Sequence, residues 1–340
     1  MPIEIYMSEQ AQVIENALNH ESIAVAVEKI PNFDRVILIG SGSSLNALTI
    51  VRAFLQANLR RSTEVLNPAV FLKTIDDIYG QPLIIVLSQS GTSTTSVEAV
   101  TKAQARGWHS VVVTADPASP IGACGSDTIL LPIGDEPIGP KTKGFTASVA
   151  ACFAIALRLA GGDVPTTVAA NIDVLLAMSA TATSELLKDR NIPNYVAISG
   201  TGRFLGVAME ASLKIAEIAG LPTAAFEPEE LLHGRLHGAT AKSLVIMIAD
   251  TVESREEALN VARVMADRSV RVALLNLTNT ASPYDWLLTD GIAIAPFDAV
   301  AAVIPFQRLA VDLALRQNMV PDDMRYPGLS KALAIKTFAR

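Results

Sequence analysis

The alternation of apolar and polar positions is sharpest at residues 83–96. Leu83-Ile84-Ile85-Val86-Leu87 predicts a strand buried on both faces. Polarity then reverses. From Ser88 to Ser96 the chain carries seven hydroxyls and one amide in nine residues, with no charge. A periodic stretch from Val97 to Gln104 predicts a helix. Strand, small hydroxyl-rich turn and helix together present backbone N–H groups and a helix N-terminus to an anion, and Gly91 lets the backbone come close. The stretch reads either as a phosphate cradle or as an ordinary Ser/Thr N-cap in a polar loop. It is not a Walker loop, because Gly-Lys-Ser/Thr is missing.

Similar units precede and follow it. Residues 8–28 predict a helix capped by Ser8 and ended by Pro31. Residues 35–40 predict a strand running into Ser41-Gly42-Ser43-Ser44, then a helix through Ala47, Ile50, Val51, Phe54 and Leu55. In an open parallel sheet both hydroxyl loops would lie at the carboxyl ends of the strands, near the switch point. Val65–Asn67 predicts a short strand, Phe71–Asp77 a helical turn, and 110–115 and 128–132 two more strands. Residues 136–148 predict a polar link, followed by an apolar helix that ends before Gly161-Gly162-Asp163. A further helix over 166–188 would bridge two halves.

The pattern then restarts. Tyr195–Ile198 predicts a strand, Ser199-Gly200-Thr201-Gly202-Arg203 a loop, and 206–219 a helix, which looks like a second copy of the module around Gly40–Ser44. After the apolar run Leu244–Ile248 stands Ala249-Asp250-Thr251-Val252-Glu253. Its acids should repel phosphate, so one half is expected to bind phosphate and the other to serve a different use. Val270–Leu277 and Ile292–Ile294 predict strands, Val300–Leu315 a helix, and 321–340 an irregular tail. The division expected is an N-terminal helix over 1–30, an α/β domain over 31–162, a second over 163–320, and a tail over 321–340 that closes the site.

Composition narrows the class. The 340 residues are 50% hydrophobic and 18% charged, with a formal net charge of −7 and 5% aromatics. There is no basic stripe, so a nucleic-acid partner is not expected. The N-terminus lacks a basic region and an apolar core, and the longest apolar run, near Val149–Leu157, is too short to span a bilayer. A soluble, cytoplasmic protein is expected. Cys124 and Cys152 fit no ligand spacing and read as reduced, structural thiols.

Three places could carry chemistry. Glu210, Lys214 and Glu217 share one face of the 206–219 helix, which is otherwise apolar or small. Such a stripe is either a surface salt-bridge ladder or the lining of a cleft, where a buried Glu beside a Lys can be tuned as a base. His233 and His237 have metal-ligand spacing, but Gly234 and Gly238 oppose a regular helix. No metal is expected; a single working histidine beside a charged substrate fits better. Lys331, in Pro327-Gly328-Leu329-Ser330-Lys331, is by itself a tail lysine.

Ser41-Gly42-Ser43-Ser44, the Ser88-Gln89-Ser90-Gly91 motif and the duplicated module resemble the sugar isomerase (SIS) domain family over nearly the whole chain. The closer likeness is to the isomerase half of glucosamine-6-phosphate synthase and to stand-alone amino-sugar-phosphate deaminases and fructosamine-6-phosphate deglycases. The resemblance implies an α/β fold of two tandem SIS domains, each a parallel sheet flanked by helices in a flavodoxin-like three-layer sandwich. It implies no cofactor and a homodimer or higher homo-oligomer with a shared active site. By similarity, Ser43 and Ser44 line the sugar site, and Ser88, Gln89, Ser90 and Ser93 bind phosphate. Thr142 and Lys143, in Thr142-Lys143-Gly144-Phe145-Thr146, match a substrate loop. Glu217 matches the base that moves a proton between C1 and C2, and Glu210 and Lys214 its charged neighbours. His233 matches the ring-opening histidine, supplied in the family by the neighbouring subunit. Lys331 matches the lysine that forms a Schiff base with the ketose.

There are departures. Pro2 follows the initiator Met where a glutaminase would carry a cysteine nucleophile, so glutamine-driven synthesis is not expected. Thr92 replaces the usual Glu, and Arg235 stands in the family's His-Gly-Pro-Leu. The activity expected is that of a phosphosugar isomerase or deaminase acting on a hexose or amino-sugar 6-phosphate. A deglycase and a non-catalytic sugar-phosphate regulator are the alternatives.

Overall fold

The computed structural model describes residues 1–165, 171–188, 190–289 and 296–336. Three short helices open the chain: α1 (Pro2–Ser8), α2 (Gln10–Leu18) and α3 (Glu21–Glu28). Then come β1 (Arg35–Ile39), α4 (Ser43–Leu59), β2 (Thr63–Leu66), α5 (Pro68–Thr74), β3 (Pro82–Leu87), α6 (Thr94–Ala105), β4 (Ser110–Thr114), β5 (Asp127–Leu130), α7 (Lys143–Leu159) and α8 (Ile172–Leu187). The second series is β6 (Tyr195–Ser199), α9 (Arg203–Lys214), β7 (Thr223–Phe226), α10 (Pro228–Leu232), β8 (Ser243–Ala249), α11 (Val252–Ala266), β9 (Arg271–Asn276), β10 (Asp285–Leu288), α12 (Asp298–Arg316) and α13 (Leu329–Ala332).

The chain divides into two compact units. One holds residues 9–137, 143–169 and 326–340; the other holds 1–8, 138–142 and 170–325. Each contains a five-stranded, all-parallel sheet flanked by helices. The orders are β2-β1-β3-β4-β5 and β10-β9-β8-β6-β7, the same arrangement when each is counted from its own first strand. The direction of winding reverses between β1 and β3 in the first sheet, and between β6 and β8 in the second. Such reversals open a crevice at the carboxyl ends of the strands.

The central strands explain their own placement. All six residues of β3 and all seven of β8 are buried, as parallel strands covered on both faces require. Full burial of one such aliphatic side chain contributes about 1.5–3 kcal/mol. In the first unit Ile37, Ile39, Ile84, Val86 and Val112 pack with Phe71 of α5 and Ala99, Val100 and Ala103 of α6. α7 is buried from Lys143 through Ala156, with Phe153 meeting Phe54 of α4 edge to face, 5.4 Å between centroids. In the second unit Val245, Met247, Val272 and Leu274 pack against Ala258, Leu259, Val261, Ala262 and Met265 of α11.

The structure departs from the sequence expectations in several elements. The helix predicted over 8–28 is broken twice. Ser8 ends α1, its hydroxyl donating to the Ile5 carbonyl at 2.7 Å, and His20 caps α3 by accepting from Ser22 N–H through Nδ1 at 3.3 Å. Short polar side chains there offer the backbone a local alternative to continuing the helix. The polar link predicted over 136–148 is half wrong, because Lys143–Ser148 form the first turns of α7. β7 is only four residues long and half-exposed, and β10 is equally short, so neither produces a strong apolar run. The strand predicted at Ile292–Ile294 and residues 166–170 of the predicted bridging helix lie outside the described residues. Among the described residues, no helix is long and apolar enough to cross a membrane.

Both cysteines are free thiols. Cys152 is buried in α7, and burial pushes its thiol up to about 12. The thiolate is the reactive form, so Cys152 should resist aromatic disulfide reagents in the native protein and react at once in denaturant. Rapid labelling of Cys152 without denaturant, read by mass spectrometry, would contradict this packing.

Candidate functional site

In the first unit the hydroxyl loop is shaped from behind by neighbours. Ser88 N–H donates to the Val113 carbonyl at 3.0 Å, and Gly91 N–H returns to the Ser88 carbonyl at 3.0 Å, closing a tight turn. Ala115 N–H donates to the Gln89 carbonyl at 2.9 Å and Ile121 N–H to the Gly91 carbonyl at 3.1 Å, so the segment after β4 clamps the turn. Gly91 has φ +64°, and a Cβ there would lie 1.9 Å from Ser119 Oγ. Only glycine satisfies both constraints.

The front of the loop is hydroxyl-lined. Ser90 Oγ and Thr92 Oγ1 are 3.0 Å apart, and Ser96 Oγ donates to Ser93 Oγ at 3.0 Å. Ser93 occupies the N-cap position of α6, but its side chain makes no capping bond to the backbone. The ordinary cap reading of this loop therefore fails at the atom it needs. The backbone N–H of Thr94 donates to the Ile335 carbonyl at 3.3 Å, and Ser93 pairs with Lys336 in an antiparallel bridge. The tail thus lies against this loop. Lys331, in α13, is exposed.

Ser43 and Ser44 begin α4, next to the loop after β3. Gly42 precedes them with φ 56° and ψ −131°. β1 and β3 are hydrogen-bonded neighbours at the reversal of the sheet, so both hydroxyl loops leave the same edge, each followed by a helix N-terminus. Gln89 adds a side chain from a third direction. Its amide rests on Gly144 in α7, where a Cβ would fall 2.2 Å from Nε2. The Gly144 N–H is held by Glu136 Oε2 at 3.1 Å. Lys143 is buried and ion-paired with Glu9 at 2.5 Å.

The second unit repeats the backbone and changes the chemistry. Gly202 holds φ 61° and ψ −118°, close to the values at Gly42. The residue that follows is Arg203 rather than a serine. Its guanidinium grips Asp298 with two bonds, Nε at 2.9 Å and Nη2 at 2.7 Å, and lies 3.5 Å from Asp250. Of the acids expected to repel phosphate, Asp250 is thus paired with this arginine. Thr142 is fully buried in this unit, and its carbonyl faces Gln307 Nε2 at 3.5 Å.

α9 carries the charged stripe inward. Glu210 and Lys214 are buried, and Glu217 keeps 21% of its side chain exposed. Lys214 Nζ lies 3.4 Å from Glu210 Oε1 and 2.5 Å from Glu217 Oε2. Burial disfavours the ammonium, but the two carboxylates beside it outweigh burial and hold Lys214 above the ordinary lysine value. From Ile215 to Ala219 the helix widens into a π turn that ends at Gly220, φ +63°. Such turns are frequent at functional sites. The surface-ladder reading of the stripe is excluded by its burial. Glu217 alone offers a carboxylate to both Lys214 and solvent.

His233 ends α10, exposed, with Nε2 2.9 Å from Glu229 Oε1. Gly234, φ +111°, turns the chain so that His237 sits in a separate helical turn, Arg235–Gly238. Among the described residues, no three His, Cys, Asp or Glu side chains converge as metal ligands. Arg235, a departure from the family motif, lies over the Phe226 ring, 5.4 Å from its centroid. The supporting roles of Ser119, Glu136 and Arg203 were missed from sequence, because each depends on a neighbour brought in by the fold.

The SIS domain model matches residues 29–158, which span β1 to β5. Over 329 residues the chain is 26% identical to the glutamine–fructose-6-phosphate aminotransferase (isomerizing) of Listeria monocytogenes, covering 91% of this chain and 53% of that protein. The chain thus spans about half the length of the curated relatives it matches. The glucosamine-6-phosphate deaminase of Thermotoga maritima superposes with a TM-score of 0.81 at 18% identity, covering 96% of this chain and 98% of that one. Tagatose-6-phosphate ketose/aldose isomerase from Escherichia coli gives 0.81 at 18%, covering 96% of each. Residues 29–158 thus match the SIS domain, and the chain as a whole shares the fold of the Thermotoga and Escherichia structures.

Proposed function

We propose that the chain is a phosphosugar isomerase or amino-sugar-phosphate deaminase built from two tandem SIS modules. The observation that carries this reading is the Glu210–Lys214–Glu217 array, in which one partly exposed carboxylate is ion-paired to a buried cation. The matched topology of the two sheets supports the second module. The Thermotoga deaminase and the Escherichia isomerase share the fold, and the Listeria relative is an isomerizing aminotransferase, which supports the substrate class.

Aldose–ketose interconversion needs an open ring, a carboxylate that shuttles a proton between C2 and C1, and an anchored phosphate. In this reading Ser88, Gln89, Ser90 and Ser93 hold the 6-phosphate, and Ser43 and Ser44 face the sugar. Thr142 and Lys143, both buried, support the walls. Glu217 takes the C2 proton, and the C–H electron pair forms the C1=C2 bond as the C1=O pair moves onto O1 to give an enediol(ate); the proton then adds to C1 while the O2–H proton passes to O1 and C2=O forms. Lys214 holds Glu217 in place through their ion pair, and Glu210 balances Lys214. Exposure of His233 suits a ring-opening group supplied to a neighbouring subunit in a homodimer or larger oligomer. Lys331 is free to form an imine with the ketose carbonyl. If C2 bears an amine, the ketose-side imine hydrolyses and ammonia leaves. Deglycation of a fructosamine 6-phosphate runs the proton transfer from C1 to C2, so that the amine is carried as a C1 imine whose hydrolysis releases it.

Replacing Glu217 by Gln should lower kcat by about 10²–10⁴-fold while sugar-phosphate affinity stays within about twofold. Turnover should be followed as ammonia, free amine and ketose from glucosamine 6-phosphate, fructose 6-phosphate and a fructosamine 6-phosphate. Retained turnover would overturn the assignment of the base. Ser90→Asp sets a carboxylate against the substrate phosphate and should raise KM at least about tenfold, about 1.4 kcal/mol.

Lys214→Met leaves Glu210 buried without its cation and should cost roughly 3–5 kcal/mol of stability in urea unfolding. The folded-state pKa of Lys214 is raised. Its contribution is therefore complete below the ordinary lysine value of about 10.4 and is lost as pH rises through the higher folded value. Wild-type stability should fall in that alkaline window, and Lys214→Met should lack that part of the fall.

A further inference from the structure

The second unit has a cavity of about 490 Å³ at the opposite edge of its sheet. It lies where β8 begins at Ser243 and β9 at Arg271, beside the amino end of β6, far along the strands from the Gly200–Gly202 loop. Its volume is that of a small-molecule site, about 300–1,000 Å³. Arg190, Lys242 and Arg271 line it, and among the described lining residues there is no carboxylate. That is unusual in a chain with 34 acidic and 27 basic residues.

The cations are not explained by helix ends alone. Arg268, outside the cavity, donates to the Val264 carbonyl at the end of α11 at 2.6 Å. Arg271 gives one N–H to the Leu186 carbonyl at 3.4 Å, at the end of α8, and has four more N–H groups. Burial lowers the pKa of Arg271, and the like charge of Arg190 lowers it further. The remaining wall is mixed. Ser269, among the lining residues, holds φ +60° just past α11, a position usually given to glycine. Val272 and Tyr284 supply apolar and aromatic surface.

We propose that this cavity is a second anion site that binds a phosphorylated small organic molecule. The phosphate sits on Arg190, Lys242 and Arg271, and the carbon skeleton lies against Val272 and Tyr284. Arginine and lysine together give phosphate both forked and point-charge contacts. The site is separate from the hydroxyl loop of the first unit and does not depend on the catalytic reading.

The test is calorimetric titration at low salt with inorganic phosphate and with glucose 6-phosphate. It uses the 340-residue chain carrying Ser90→Asp, so that binding at the hydroxyl loop is weakened at least about tenfold. Glucose 6-phosphate should still bind, and more tightly than phosphate. Adding Arg190→Gln and Lys242→Gln, both at exposed positions, should weaken it at least about tenfold, with unchanged circular dichroism. Arg271→Lys, which keeps the charge but loses the fork, should weaken it by less. Three outcomes would each overturn the proposal: no binding in the Ser90→Asp protein, binding indifferent to the Arg190→Gln/Lys242→Gln pair, or equal affinity for phosphate and glucose 6-phosphate. Loss of turnover in Glu217→Gln leaves this result untouched, so the two readings fail independently.

Discussion

The placement of one buried lysine governs the second unit. Lys214 has almost no contact with water, and an isolated ammonium there would be costly by several kcal/mol. It is tolerated because Glu210 and Glu217 reach it from one turn before and one turn after. The π turn at Ile215–Ala219 follows directly, and Gly220 ends it in the left-handed region. Glu217 is therefore held by a charge on one side and open to solvent on the other. A carboxylate fixed in this way can exchange a proton without having to reorganise its surroundings.

The first unit solves a different problem with neutral groups. A protein with a net charge of −7 attracts no anion by its overall field. Local donors must do so, and the loop after β3 supplies hydroxyls and a helix N-terminus. Its shape depends on three close approaches: Ser119 against Gly91, Gln89 against Gly144, and the tail against Thr94. The hydroxyls alone would describe any polar loop. These contacts hold them in one arrangement.

The two sheets show how a shared topology takes on separate tasks. Gly42 and Gly202 have nearly the same backbone angles and start equivalent helices. After Gly42 the chain places Ser43 and Ser44. After Gly202 it places Arg203, which binds Asp298 and Asp250 within its own unit. An internal carboxylate pair thus stands where the first unit has its open hydroxyl loop, and the acidic stretch at residue 250 becomes an ion-pair partner.

The sequence by itself determined the parallel α/β class, the restart near residue 195, the likeness to the SIS family and the glycine-rich turns. These follow from local facts: a buried parallel strand must be apolar throughout, and a sharp turn at a helix N-terminus calls for glycine. It also put Glu210, Lys214 and Glu217 on one face, since helical spacing needs no neighbour. Only the tertiary structure decided that this face is buried rather than a surface ladder, because burial depends on what packs over it. It alone paired Lys143 with Glu9 and gathered Arg190, Lys242 and Arg271 around one cavity. Those residues are far apart in the chain, and the periodicity that reveals a helix or strand carries no signal for contacts between elements.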